Sequence, residues 1–210
     1  MNMIRSLSCI ALAVTLTLGS ALSAHAASAT SQLYTFDKTT YSGALNVSVD
    51  LYAPPDKYGK VGAPQRYPAT LLFERPDRFR LVLHPGAKDE FRAVAQAGIV
   101  NWLDLATGIS GKDAADKITD PLAIALLGSA GELLRFSAPK DLVLSKGSKI
   151  SGARFTPKTW GSGVTSGLAW FSSAGQPIGF EFLLHDQTRV FVSVLSFKQN
   201  VKTNPGDFQL

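Results

Sequence analysis

Cysteine is nearly missing from this chain. Cys9, the only one in 210 residues, lies near the start of an apolar run, where it reads as a small hydrophobe. A disulfide, a thiol nucleophile and a thiolate metal site are therefore excluded for the rest of the chain, which must be held together by an ordinary core. Histidine is scarce as well. Only His84 and His185 lie beyond residue 26, too few for the three or four ligands of a zinc site, and both are expected to be solvated residues at strand ends. No Gly-x-Ser-x-Gly elbow occurs, and Gly161-Ser-Gly-Val-Thr-Ser-Gly167 lacks the strand-then-helix context of such a turn. Ser137-Ala-Pro-Lys140 matches Ser-x-x-Lys but stands without partner motifs, and Gly108-Ile-Ser-Gly-Lys112 lacks the spacing of a phosphate-cradling loop. The expectation is a protein without catalytic residues, metal or cofactor, one that binds rather than makes or breaks bonds.

Long hydrophobic runs are missing everywhere except at the start. Arg5 precedes an apolar stretch from Leu7 to Leu22, which ends in Ser23-Ala24-His25-Ala26-Ala27. A positive n-region, a short h-region and an Ala-x-Ala site mark residues 1–26 as a signal peptide, with cleavage near Ala26 and export to the periplasm. Residues 27–210 then form a single domain of 184 residues, long enough for its own core, with no stable membrane span. Twenty basic and sixteen acidic side chains give this domain a net charge of +4, but they alternate along the chain, as in Asp56-Lys57, Glu74-Arg75 and Asp77-Arg78. That mixture describes a solvated surface and no nucleic-acid footprint.

What is abundant is alternation. Ala44 to Leu51 switches between apolar and polar residues with period two, the pattern of a strand with one buried face. Tyr67–Glu74 and Arg78–His84 flank the turn Arg75-Pro76-Asp77, and Glu90–Gln96 and Ile99–Leu105 flank Ala97-Gly98. From residue 113 the pattern reads as helical, with Asp120 as a cap and Pro121 at the first helical position before an apolar segment containing Ile124 and Leu127. Strands return at Lys149–Phe155, Gly167–Ser172, Pro177–His185 and Arg189–Lys198, with a last one near Phe208. Val190 to Phe197 is apolar on both faces. A long antiparallel sheet must curl or close to hide its edges, leaving helices to cover the open side. Two arrangements fit this pattern: a curved sheet with an apolar cavity under a helical lid, and a filled β core with a helix packed on it.

Phe73-Glu-Arg-Pro-Asp-Arg-Phe-Arg80 resembles the Arg-Pro turn between two strands of the LolA-like periplasmic lipoprotein carriers. Gly98-Ile-Val-Asn-Trp102, Asp120-Pro-Leu-Ala-Ile-Ala-Leu-Leu127, Trp170-Phe-Ser-Ser-Ala-Gly-Gln-Pro-Ile178 and Asn204-Pro-Gly-Asp-Phe208 resemble later pieces of that family in the same order. The resemblance implies a mainly β fold, a curved antiparallel incomplete barrel covered by short helices, whose apolar interior holds acyl chains. It also implies that Arg75 helps to hold a lid on the barrel. The first helix is shorter here, Thr30 to Lys38, and the loop from Pro54 to Arg66 is long. The expected function is a periplasmic carrier that holds the acyl part of a lipid or lipoprotein. Phe73, Phe79, Leu81 and Trp102 from the sheet and Ile124 and Leu127 from the lid are expected to line the cavity. The alternative is a regulatory or adaptor module that binds an envelope protein partner through the same fold.

Overall fold

The computed structural model describes residues 28–114, 136–144, 148–157 and 164–210. The expected signal peptide, the capped apolar segment with Ile124 and Leu127, and Trp160 lie outside these described residues. Among the described residues the chain forms helix α1 (Ala29–Thr39) and eleven strands. The strands are β1 (Ser42–Tyr52), β2 (Gln65–Glu74), β3 (Arg78–Leu83), β4 (Phe91–Gln96), β5 (Ile99–Asp104) and β6 (Ile109–Ala114), followed by β7 (Phe136–Asp141), β8 (Ile150–Pro157), β9 (Val164–Ser172), β10 (Pro177–Leu184) and β11 (Arg189–Gln199). They build one antiparallel sheet in the order β6-β5-β4-β3-β2-β1-β11-β10-β9-β8-β7, whose edges β6 and β7 do not pair with each other. The result is an incomplete barrel made of two meanders joined through β1 and β11.

Local chemistry explains most of the hairpins. Ala97 and Gly98 both take positive φ, 52° and 76°, in a two-residue loop that joins Gln96 directly to its partner Ile99. Two left-handed residues give the turn the twist that adjacent strands need. Between β9 and β10, Gly175 takes φ 76° and donates its N–H to the Ser172 carbonyl. Helix α1 begins at Ser28, whose hydroxyl accepts the Ser31 N–H, and Asp141 Oδ1 accepts the Thr30 N–H at 2.7 Å.

Cross-strand register decides which side chains share a face. Leu45, Leu71, Leu81, Ala93 and Trp102 lie opposite one another in turn across β1 to β5, and Phe73 lies opposite Phe79, which lies opposite Ala95. On the other side of β1, Val49 meets Val192, Val192 meets Phe180, and Phe180 meets Ala169. These residues make one continuous apolar core with Leu33 and Phe36 of α1. Helix α1 has its main contacts with β7, β8 and β9. The core itself reaches much farther, to Val100 on β5.

Three segments depart from the sequence pattern. Asp113, expected at a helix start, ends up in β6 opposite Val100. Phe208, expected in a strand, is buried in a 3-10 turn, Pro205–Phe208, set against β3 and β4. Strand β7 was not expected at all: Pro139 falls within it, which is possible because β7 is an edge strand with a register shift between Ser137 and Lys140.

Candidate functional site

The sheet residues expected to line a cavity fall together on the apolar face. Phe73 and Phe79 are each 1% exposed and Leu81 is fully buried, so access to them requires separating whatever packs on that face. Trp102 is half-buried at its outer margin. Its ring stacks on Phe91, its Nε1 donates to Asp113 Oδ2 at 2.8 Å, and it lies flat over Gly111 of β6. A Cβ at Gly111 would stand 2.4 Å from the ring. Gly111→Ala is therefore expected to lift the indole off β6 and to lower stability by about 1–3 kcal/mol, as overpacking does, read from the midpoint of urea unfolding.

Arg75 sits where the β2–β3 turn meets the end of α1. Its Nη1 donates to the Asp37 carbonyl and, at 2.9 Å, to Asp37 Oδ1. That carbonyl belongs to the last turn of the helix, where no intrahelical N–H remains to meet it, and a cation there also complements the helix dipole. The guanidinium lies between two aromatic rings, 5.6 Å from the Phe36 centroid and 5.9 Å from that of Phe73. Burial pushes the Asp37 carboxyl above the usual carboxylate range, against the pull of Arg75, and lowers the Arg75 guanidinium against the pull of Asp37. Both groups are thus more stable neutral than their pairing alone would make them, the mark of a desolvated ion pair.

A groove of about 350 Å³ opens beside this pair, between α1, the Ser173–Gln176 turn and the end of β11. Phe36, Pro177 and Phe197 supply its apolar surface, while Gln32, Thr35, Thr39 and Gln199 supply polar groups. The Gln32 carbonyl oxygen accepts from Ser151 at 2.6 Å, and the Gln199 amide donates to Thr40 Oγ1 at 2.9 Å. Pattern reading did not find this groove, because its walls come from three segments far apart in the chain and carry no motif.

The histidines differ from each other. His185 is exposed in the β10–β11 turn. His84, expected to be solvated, instead approaches Asp89 Oδ2 at 2.6 Å through Nδ1 and stacks on Tyr67. Beside them Glu90, 6% exposed, accepts the Gly86 N–H and pairs with Arg92. The Gly86 amide and then the Arg92 guanidinium hold its carboxyl below the ordinary value. On acidification the unfolded chain takes up this proton first, so folding loses stability as pH falls through the carboxylate range, roughly pH 4 and below. Glu90→Gln is expected to flatten that acid limb in thermal unfolding followed from neutral to low pH. Among the described residues no group of three or more His, Cys, Asp or Glu could hold a metal ion, and no helix is long and apolar enough to cross a membrane.

No protein-family model matches the chain, and no curated protein matches it in sequence. Solved structures do. A domain assigned to outer membrane lipoprotein sorting from Vibrio parahaemolyticus superposes with a TM-score of 0.50 at 10% identity, over 86% of this chain and 94% of its own. A LolA superfamily protein from Nitrosomonas europaea gives 0.49 at 12% identity, over 88% and 99%. A DUF1329 family protein from Desulfovibrio piger gives 0.47 at 9%, over 86% and 95%. The first of these shows the fold, an open antiparallel sheet with its main apolar core on one face.

Proposed function

We propose that this protein is a periplasmic carrier that shelters the acyl part of a lipid or lipoprotein on the apolar face of its open sheet. The observation that carries this reading is the width of that face. It runs from Phe155 on β8 to Val100 on β5, whereas α1 has its main contacts only with β7 to β9. That face is closed in this structure, with Phe73, Phe79 and Leu81 at most 1% exposed, so a ligand would displace its cover, and an acyl chain gains about 0.8 kcal/mol per methylene removed from water while needing few polar contacts. Phe73, Phe79, Leu81 and Trp102 are the sheet residues assigned to the lining in this reading, and Ile124 and Leu127, outside the described residues, complete the set expected from the sequence. Arg75, in contact with both α1 and the sheet, is placed as the tie that keeps the face covered until a ligand enters. The lipoprotein-sorting description of the Vibrio parahaemolyticus domain agrees with this reading, as does the signal-peptide pattern of residues 1–26.

The test is extraction. Protein purified from its native host without detergent should yield near-stoichiometric lipid or acylated peptide by mass spectrometry. Lipid-free protein that co-purifies with a stable polypeptide partner would replace the carrier with an envelope adaptor.

A further inference from the structure

The Arg75 side chain is 7% exposed, and among the described residues only Nη1 of its three nitrogens has a partner. Nε and Nη2 are buried with no hydrogen bond. These two nitrogens form one edge of the guanidinium. Arg66 uses the same edge to grip both oxygens of Asp50, at 2.7 and 3.0 Å. Leaving a buried donor unmade is costly, more so on a charged group, and two adjoining ones form a fork whose natural complement is an oxygen acceptor.

The surroundings say which kind of oxygen. Asp37 already balances the charge of Arg75, so a ligand carboxylate or phosphate would bring an uncompensated negative charge into a desolvated place. A neutral carbonyl oxygen can accept from both N–H groups without that cost. The neighbouring groove points the same way, since none of its lining residues carries a charge and Gln32, Thr35, Thr39, Ser173, Gln176 and Gln199 offer amides and hydroxyls. One ring connects groove and guanidinium. Phe36 lines the groove, stacks with Phe197 at 5.6 Å and covers Arg75 at 5.6 Å.

We propose that Arg75 is the head-group site of this protein, its Nε and Nη2 donating to the ester carbonyl of a neutral acylated ligand whose hydroxyl-bearing part occupies the α1 groove. This rests on the acyl-carrier reading and specifies it. Phe36 turns aside to admit the ester, and the acyl chain continues toward Phe73 and the apolar face. Ligands are then sorted by their linkage chemistry as well as by their hydrocarbon.

A matched pair tests it. The full chain, delipidated, is titrated with 1-dodecanoylglycerol and with its ether counterpart 1-O-dodecylglycerol, which differs only in lacking the carbonyl, by displacement of a fluorescent naphthylamine. Hydrogen bonds to a charged group predict an ester preference of about tenfold or more, and Arg75→Met is expected to abolish it. Dodecanoate is the anionic arm and should bind no tighter than the ester. If neither glyceride binds, the carrier reading falls and takes this site with it. Equal binding of ester and ether leaves the carrier reading standing and removes the role of Arg75, a result the unmodified protein gives even if the variant fails to fold. Dodecanoate binding tenfold tighter than the ester would overturn the neutral-carbonyl assignment.

Discussion

Asp37→Ala is expected to destabilise the protein by about 3–5 kcal/mol, the cost of leaving one member of a buried ion pair alone. Asp37 and Arg75 side chains are 18% and 7% exposed, and among the described residues the carboxylate is the only charge set against the guanidinium. Without it, Arg75 keeps a single hydrogen bond, to the Asp37 carbonyl, while Phe36 and Phe73 still keep its face from water. The converse change is milder. Arg75→Met removes the charge and leaves an apolar side chain of similar reach, while Asp37, already biased toward its protonated form by burial, can neutralise itself. The double variant Asp37→Leu with Arg75→Met should lie close to the unmodified protein or above it, since apolar replacements of buried pairs are often neutral or stabilising. Urea unfolding of these four proteins and of the Asp37→Leu single variant closes the cycle. A loss from Asp37→Ala no larger than that from Arg75→Met would show that water reaches the pair.

How much of this was legible beforehand follows from what each segment does with its side chains. The hairpins β2–β3 and β4–β5 announce themselves because each strand alternates and each turn has its chemistry, proline in one and Ala97-Gly98 in the other. Strand β6 hides because Ile-Ser-Gly-Lys-Asp-Ala is an edge strand with little to bury, and its aspartate serves the Trp102 indole rather than a helix terminus. Strand β7 hides behind Pro139. Alternation gave two faces for β2, β3 and β5 but not which one was buried; register does, by aligning Phe73 with Phe79 and carrying Leu81 through Ala93 to Trp102. The link between Arg75 and α1 joins residues 38 positions apart, and no periodicity encodes it. Only the resemblance of the Arg-Pro turn pointed there. The groove is the least legible feature, because amides and hydroxyls on three separate segments look like ordinary surface until folding brings them together.

Phe79→Ala separates the two arrangements that the sequence left open, a filled core and a face that can take up hydrocarbon. Phe79 is 1% exposed, opposite Phe73 on one side and Ala95 on the other, so truncation should cost about 3–5 kcal/mol through lost burial and the cavity left behind. In a filled core that loss is the same whatever is added to the solution. On a face that receives an acyl chain, the chain enters the vacated space, and saturating 1-dodecanoylglycerol should stabilise the variant more than the unmodified protein through linkage. Phe182→Ala provides the contrast. Phe182 is as deeply buried and packs edge-on against Phe155, in the half of the sheet where α1 lies, so its truncation should cost as much in urea unfolding but gain nothing extra from the glyceride. Equal rescue at both positions would mean that the ligand fills any cavity it is offered. No rescue at Phe79 would mean that the sheet on that side is closed.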